Sequence, residues 1–180
     1  DCLQKGDILI LAGSIPASLA QTTYERILAR LEGRDIRAVV DATRDLLVNV
    51  LRYKPFLIKP NNHELSEIAG VKLTNDNEIV TAARMMQAKG ARNVLVSMAG
   101  DGALLLDEQG GVHRIGCPKG KVVNSVGAGD SMVAGFVAGY QQSGGDYAAA
   151  LKLGTACGSA TAFSLGLATK ADIDKLLKTM

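Results

Sequence analysis

The sequence predicts an α/β fold in which a mostly parallel sheet is covered by helices on both of its faces. Short apolar runs at residues 7–12, 36–41 and 93–98 carry this prediction, because continuous runs of such length are typical of buried parallel strands. Helical spacing of apolar residues lies between these runs, at about 21–32 and 76–89. Strands that alternate with helices along a chain define the α/β class.

The rest of the chain continues the same alternation. A further strand is predicted at 56–59, followed by a helix from Glu64 to about Gly70, and a hairpin is predicted at 103–107 and 111–115 with 108–110 as its turn. Three more helices are expected, one starting in the glycine-rich stretch 124–139, one over about 146–164 and one from near Lys170. No internal repeat or linker interrupts this pattern, so one domain over residues 1–180 is expected.

Composition and charge exclude several classes of function. The chain is 47% hydrophobic and 21% charged, with a formal net charge of +2. This charge is too small to indicate a nucleic acid or membrane partner, and no apolar run reaches the roughly 18 residues of a membrane span. The three cysteines form no C-x-x-C pair, which indicates reduced thiols and a cytoplasmic location. The N-terminus has no apolar signal region, and its start within a helix-to-strand connection suggests a piece of a longer protein.

The glycine-rich stretch is the strongest candidate for a functional site. Gly127, Ala128 and Gly129 stand directly before Asp130 and an apolar helical pattern. The first N–H groups of a helix have no partner within it, and glycine lets an anion approach the backbone closely. A carboxylate beside an anion site repels the anion unless it accepts a hydroxyl proton during phosphoryl transfer. The pattern therefore indicates a phosphate site with Asp130 as a general base.

The same stretch has competing interpretations. An acid in the first turn of a helix is also ordinary capping, and on the pattern alone this alternative stays open. A dinucleotide fingerprint needs a third glycine where Met132 stands, and a Walker A loop needs Ser or Thr where Val122 follows Lys121. Neither motif matches, which disfavours a dinucleotide-dependent oxidoreductase.

A second candidate site follows the strand predicted at 56–59. Lys59 offers a positive charge for phosphate oxygens. Asn61 and Glu64 are three residues apart, so one helical turn would bring both side chains to one point. Carboxylate and amide oxygens suit Mg²⁺, directly or through its water shell. The alternative is a capping box, in which Asn61 and Glu64 only cap the helix that follows.

Two motifs resemble those of one protein family. Ser125–Ser131, followed by Met-Val-Ala-Gly-Phe, resembles the C-terminal signature of the ribokinase/phosphofructokinase-B family of carbohydrate kinases. Lys-Pro-Asn-x-x-Glu at 59–64 resembles the family's Asn-x-x-Glu motif, which is associated with magnesium and phosphate. The resemblance covers nearly the whole chain and implies a ribokinase-like three-layer α/β/α fold with a mostly parallel central sheet. Members are longer, so the N-terminal part and the lid are expected to be missing.

Weaker matches place further residues in the expected site. Ser14, in a Gly-Ser-Ile-Pro segment, resembles a serine near the sugar, and Asp41 ends a predicted strand, where ligands gather in parallel sheets. Ser97, Gly100 and Gly102 resemble the nucleotide-side loop, although a plain tight turn also explains these glycines. The nucleotide contacts implied by the resemblance also include Ser125, Val126 and Cys157.

Cys157 lies in 154–163, which resembles the helix that packs beside the adenine. Small residues there leave room for a flat base, but close helix packing explains them equally well. A small packed thiol is the corresponding alternative for Cys157.

The resemblance implies ATP-dependent phosphorylation of a sugar phosphate. Residues 55–65 and 160–169 most resemble the 1-phosphofructokinase subgroup, with tagatose-6-phosphate kinases as close neighbours. The implied mechanism places the γ-phosphate of ATP at the N–H groups of 126–130, while Asp130 takes the proton of the C6 hydroxyl of fructose 1-phosphate. Lys59 and Mg²⁺, held through Asn61 and Glu64, neutralise the remaining charge, and Asp41 assists at the metal or the sugar.

Other assignments stay open on the sequence. Another sugar kinase of the same family is one, and a nucleotide-binding fragment without catalysis is the alternative from a different class. A homodimer of the longer protein is also left open.

Overall fold

The computed structural model describes residues 2–180, and the chain divides into two compact units. The first unit runs to Val96 and includes the short segment Leu106–Gly111. The second unit consists of Ser97–Leu105 and Val112–Met180. The single domain expected from the sequence stays a prediction.

Parallel strands form the centre of the first unit. They are β1 (Ile8–Ala12), β2 (Arg37–Asp41), β3 (Leu57–Ile58) and β4 (Asn93–Ser97, whose last residue belongs to the second unit), and each pairs in parallel with the next. The helices are α1 (Thr23–Ala29), α2 (Arg44–Val50), α3 (Asn62–Ala69) and α4 (Asp76–Ala88), and a 3₁₀ turn, Leu51–Tyr53, follows α2. The register sets Ala12 opposite Asp41, so the carboxyl ends of β1 and β2 lie side by side.

Apolar side chains on both faces of the strands make up the core of this unit. Val39 and Val40 of β2 are fully buried, as are Val94–Val96 of β4. Leu47 of α2 and Met86 of α4 are fully buried as well. Complete burial of such a side chain contributes about 1.5–3 kcal/mol. The runs at 36–41 and 93–98 therefore correspond to buried strands, as predicted. The run at 7–12 forms β1, which is only partly buried, with Leu11 its one buried residue and Ile10 41% exposed, so the prediction of a buried strand there was wrong.

Several boundaries in this unit differ from the sequence-based prediction. Helix α2 was not predicted, because its only buried positions, Leu47 and Val50, make too short a pattern to establish a helical period. Strand β3 has two residues instead of the four predicted, since Pro60 has no N–H with which to continue the ladder. Helix α1 is also shorter than the predicted 21–32.

The second unit combines two strands with three helices. The strands are β5 (Ala103–Leu106), whose last residue belongs to the first unit, and β6 (Val112–Ile115), and they are neighbours in the sheet. The helices are α5 (Ala128–Gln142), α6 (Tyr147–Ala162) and α7 (Lys170–Leu177), which confirms the three helices predicted here. None of the helices within residues 2–180 is long and apolar enough to cross a membrane.

Glycines let α5 and α6 pack at close range. A Cβ atom added at Gly154 would lie 2.9 Å from the Met132 carbonyl oxygen, and one added at Gly158 would lie 3.0 Å from the Ala128 carbonyl oxygen. Real side chains do not approach backbone this closely without displacing it. The start of α5 is therefore held directly against α6.

Candidate functional site

An ion pair lies at the carboxyl ends of the strands in the first unit. Asp41 is the last residue of β2, and Lys59 directly follows β3. The Lys59 Nζ atom lies 3.2 Å from Asp41 Oδ1, and the two side chains are only 8% and 17% exposed. A buried ammonium requires a nearby opposite charge, because its desolvation is otherwise costly. The structure thus brings together two residues that the sequence analysis assigned to separate roles.

Tyr24 of α1 fixes the neighbouring end of β1. Its hydroxyl donates to the carbonyl oxygens of Ala12 and Gly13, at 2.8 and 3.1 Å. Burial raises the pKa of the Tyr24 hydroxyl above its ordinary value, and the negative charge of Asp41 raises it further. Ser14 follows in an exposed loop. Tyr24 was not predicted as a site residue, since one tyrosine in an amphipathic helix carries no local signal of a role at a strand end.

Asn61 and Glu64 form a capping box at the start of α3. The Asn61 side chain accepts from the N–H groups of His63 and Glu64, both at 2.9 Å. The Glu64 Oε2 atom in turn accepts from the Asn61 N–H at 2.8 Å. These contacts match the alternative that the sequence left open for this pair.

The fit of these residues to Mg²⁺ can be judged from the same contacts. Asn61 Oδ1 already accepts two hydrogen bonds, and one Glu64 oxygen accepts another. Among residues 2–180, no group of three His, Cys, Asp or Glu side chains is arranged to hold a metal ion. The residues therefore do not form a direct coordination shell by themselves. A metal role for Asn61 and Glu64 stays a prediction.

In the second unit, α5 begins without a side-chain cap. Its N-cap residue, Gly127, has the left-handed backbone conformation, with φ 78°. This conformation strains most residues and favours glycine. The other helices of eight or more residues are each capped by a side chain, namely that of Asn61, Asn75, Asp146 or Thr169. The N-terminus of α5 thus keeps donors and partial positive charge available to an anion.

Hydrogen bonds within the protein reduce the number of N–H groups that can bind an anion at the N-terminus of α5. The Val126 N–H donates to Asn124 Oδ1 at 3.0 Å, and the Ala128 N–H donates to the Ser125 carbonyl at 3.2 Å. The Ser131 N–H makes the first intrahelical bond, to the Gly127 carbonyl at 2.9 Å. The N–H groups of residues 126–130 were predicted to bind the phosphate, and two of these five already have a hydrogen-bond partner within the protein. Those of residues 127, 129 and 130 are the candidates for an anion.

Asp130 lies in the exposed first turn of α5. Its side chain makes no hydrogen bond or ion pair with any other residue of the described chain, 2–180. A capping carboxylate would bond to the backbone of its own turn. The capping alternative is thereby reduced to the attraction between the Asp130 charge and the helix dipole, and the role of Asp130 as a base stays a prediction.

The residues predicted to face the nucleotide are Ser97, the last residue of β4, and two glycines of the loop that follows it. Gly102 has φ 92°, and a Cβ added there would lie 2.1 Å from the Ile115 carbonyl oxygen. Backbone packing alone therefore requires glycine at this position, as the tight-turn alternative proposed. Gly100 is exposed with open space around it, and Ser97 is half-buried. A nucleotide contact by these residues stays a prediction.

Cys157 lies in the interface between α5 and α6. A Cβ added at Gly135 would lie 2.7 Å from its Sγ atom. Burial raises the pKa of the Cys157 thiol, which disfavours the reactive thiolate. Packing thus accounts for Cys157, Gly154 and Gly158, and contact between Cys157 and a nucleotide stays a prediction.

Comparison with known proteins defines the class to which the chain belongs. The model of the pfkB family of carbohydrate kinases matches residues 1–174. The chain is a member of this carbohydrate kinase family, which confirms the resemblance inferred from residues 59–64 and 125–131.

Individual relatives are consistent with this assignment. The chain is 47% identical to a 1-phosphofructokinase of Bacillus subtilis, over 97% of this chain and 57% of the relative. It is 37% identical to a D-tagatose-1-phosphate kinase of Bacillus licheniformis, over 97% of this chain and 56% of the relative. That relative is named for a 1-phosphate, whereas tagatose-6-phosphate kinases were the neighbours inferred from the sequence motifs. The chain thus spans little more than half the length of these relatives.

A solved structure supports the fold class. The crystal structure of phosphofructokinase-2 from Escherichia coli in complex with substrates and products superposes with a TM-score of 0.90 at 27% identity. The match covers 98% of this chain and 58% of that structure. The predicted ribokinase-like α/β fold, shortened relative to longer members, is confirmed.

Proposed function

We propose that the protein carrying this chain transfers the γ-phosphoryl group of ATP to a hydroxyl of a sugar phosphate. The observation that supports this most directly is the N-terminus of α5, where Gly127 is left-handed, no side chain caps the helix and the Asp130 side chain is unengaged within residues 2–180. Phosphoryl transfer needs a binding site for the anionic phosphoryl group next to a group that accepts the hydroxyl proton.

The chemical step assigns a separate task to each of these groups. The Asp130 carboxylate accepts the proton of the sugar hydroxyl, and the hydroxyl oxygen forms a bond to the γ-phosphorus. The bond between this phosphorus and the bridging oxygen to the β-phosphate breaks, and ADP leaves with the electron pair. The N–H groups of 127, 129 and 130 stabilise charge on the transferring group, a contribution of about 3 kcal/mol for each well-placed donor.

The first unit supplies a second set of groups to the proposal. Lys59 is proposed to bind phosphate oxygens, with Asp41 as its charge partner rather than as a sugar ligand. Ser14 is proposed on the sugar side, because it follows the end of β1 in an exposed loop. Ser97, Gly100 and Gly102 are proposed to face the nucleotide.

Magnesium is the metal that the family implies. Because Asn61 and Glu64 hold each other in a capping box, we propose that they contact the ion only through its water shell. Such an ion would neutralise phosphate charge when bound. The proton transfer assigned to Asp130 does not depend on it.

Fructose 1-phosphate is the proposed substrate, with fructose 1,6-bisphosphate as the product. The support is the name of the relative that is 47% identical, a 1-phosphofructokinase. D-tagatose 1-phosphate is the second candidate, because another relative at 37% identity is named for it. The two sugar phosphates differ in stereochemistry at one carbon.

The test is release of ADP by the full protein that carries this sequence. Fructose 1-phosphate, D-tagatose 1-phosphate, tagatose 6-phosphate and fructose 6-phosphate are each supplied with MgATP, and kcat/KM is compared. A kcat/KM highest for fructose 1-phosphate supports the proposal. A higher value for D-tagatose 1-phosphate would replace the substrate and keep the reaction. Absence of turnover with every sugar would overturn the kinase assignment for this protein.

A further inference from the structure

Thr161, near the end of α6, is a buried residue with two hydrogen bonds to other segments. Its side chain is almost completely buried, at 1% exposure. The Oγ1 atom donates to Ser131 Oγ at 2.9 Å and accepts from the Ala168 N–H at 3.2 Å. Thr161 therefore connects the first turn of α5 to the segment that follows α6.

The hydrogen bond between Thr161 and Ser131 reaches the first turn of α5, which carries the proposed base, Asp130. Ser131 directly follows Asp130, and its N–H makes the first intrahelical bond of α5, to Gly127. A shift of Ser131 would move the Asp130 carboxylate and the donors of the first turn together. Displacements of about 1 Å at such groups can reduce turnover by about a hundredfold.

A second set of bonds attaches the preceding loop to the same helix end. The Ala162 carbonyl accepts from the N–H groups of Val123 and Asn124, at 2.8 and 3.2 Å. The Asn124 side chain donates to the Leu165 carbonyl at 3.1 Å and accepts from the Val126 N–H. The end of α6 thus holds both the loop before α5 and its first turn.

We propose that Thr161 is a positioning residue, which fixes the Asp130 carboxylate and the N–H groups at the start of α5 through its hydrogen bond to Ser131. Thr161 acts through Ser131 and contacts no reacting atom. The inference rests on the proposed role of Asp130 in phosphoryl transfer. It adds a residue that lies 30 positions from its partner in the sequence.

The same helix offers a matched control. Thr155 of α6 is also 1% exposed, but its Oγ1 atom has no hydrogen-bond partner within the described residues. Thr155→Val and Thr161→Val make the same change in shape and polarity at two equally buried positions of one helix. Only Thr161→Val removes hydrogen bonds, and it leaves Ser131 Oγ and the Ala168 N–H without this partner.

The first measurement compares kcat and KM in the full protein. We expect Thr161→Val to lower kcat by about tenfold, with less than about a threefold change in KM for either substrate, because geometry rather than binding is lost. Thr161→Ser keeps the hydroxyl and should retain kcat within about threefold. Thr155→Val should match the unmodified protein. Equal kcat values for Thr161→Val and Thr155→Val would overturn the proposal.

A second measurement does not depend on turnover. Amide hydrogen exchange of the two hydrogen-bonded N–H groups of this turn, those of Ala128 and Ser131, should be at least about tenfold faster in Thr161→Val than in Thr155→Val, because the first turn of α5 opens more readily. If every sugar fails as a substrate but this difference persists, only the proposed function fails and the positioning of the turn stands. Equal exchange rates in the two variants would show that Thr161 does not hold the turn.

Discussion

Lys59 and Asp41 form a buried ion pair in the first unit, with 3.2 Å between Lys59 Nζ and Asp41 Oδ1. The two residues lie at the carboxyl ends of neighbouring strands, since Asp41 is the last residue of β2 and Lys59 comes directly after β3. Such a pair is costly to break, because removal of one partner leaves an uncompensated buried charge. A single substitution should therefore affect both stability and phosphate binding.

We predict that Asp41→Asn lowers the free energy of unfolding by about 3 kcal/mol, since Asn keeps the shape and removes the charge. Urea unfolding provides the measurement. Asp35→Asn is the matched control, because Asp35 pairs with Lys5 at 3.4 Å on the surface, where both side chains are mostly exposed. Equal losses in the two variants would contradict a special contribution from the buried pair.

Replacement of Asp130 tests the proposed base. Asp130→Asn retains the shape of the side chain and removes its capacity to accept a proton, so kcat should fall by about 10²–10⁴-fold. The affinity for ATP, measured by calorimetry, should stay nearly unchanged. Asp174→Asn, at a half-buried acid of α7 that pairs with Lys170, serves as the control. Near-normal turnover in Asp130→Asn would remove this residue from the role.

Glu64 can be tested for a role beyond capping. Gln also serves in a capping box, so Glu64→Gln should preserve stability within about 0.5 kcal/mol. If Glu64 contacts the water shell of Mg²⁺, the same variant should need about tenfold more free Mg²⁺ for half-maximal turnover. An unchanged Mg²⁺ requirement would leave Glu64 with the capping role alone.

Alanine variants of Gly102 and Gly100 test whether backbone packing requires glycine at each of these two positions. Gly102→Ala should destabilise the protein by about 2–4 kcal/mol, because its Cβ would collide with the Ile115 carbonyl and its φ of 92° strains alanine. Gly100→Ala, in the same loop, meets open space and should change stability by less than about 0.5 kcal/mol. Thermal unfolding of both variants is the measurement. A stable Gly102→Ala protein would refute the tight-turn explanation.

The raised pKa of the Tyr24 hydroxyl predicts that the protein loses stability at high pH. Its pKa is raised in the folded state, mainly by burial and also by Asp41, so the folded protein retains a proton that the unfolded chain loses near pH 10. The corresponding stability is fully present below that pH and is lost as pH rises through the folded-state pKa. Urea unfolding from pH 8 to 11 should show a steeper decline for the unmodified protein than for Tyr24→Phe. Parallel curves would contradict this assignment.

Local patterns in the sequence were sufficient for much of the fold. Strands β2 and β4 and helices α4, α5 and α6 follow from apolar runs and helical spacing, because burial imposes a period that depends only on near neighbours in the chain. The short helix α2 was not predicted, because its two buried residues are too few to establish a helical period. The start of α5 in the glycine-rich stretch was also predicted, whereas the left-handed conformation of Gly127 was found only in the structure.

By itself, the sequence determined the family, the α/β class and the position of the candidate base, Asp130. Only the tertiary structure decided that Lys59 pairs with Asp41, that Asn124 donates to the Leu165 carbonyl, and that Thr161 holds Ser131. The physical reason is that hydrogen bonds and ion pairs are short and directional. Whether two groups come within about 3 Å depends on the register of strands and the packing of helices, which link residues far apart in the chain.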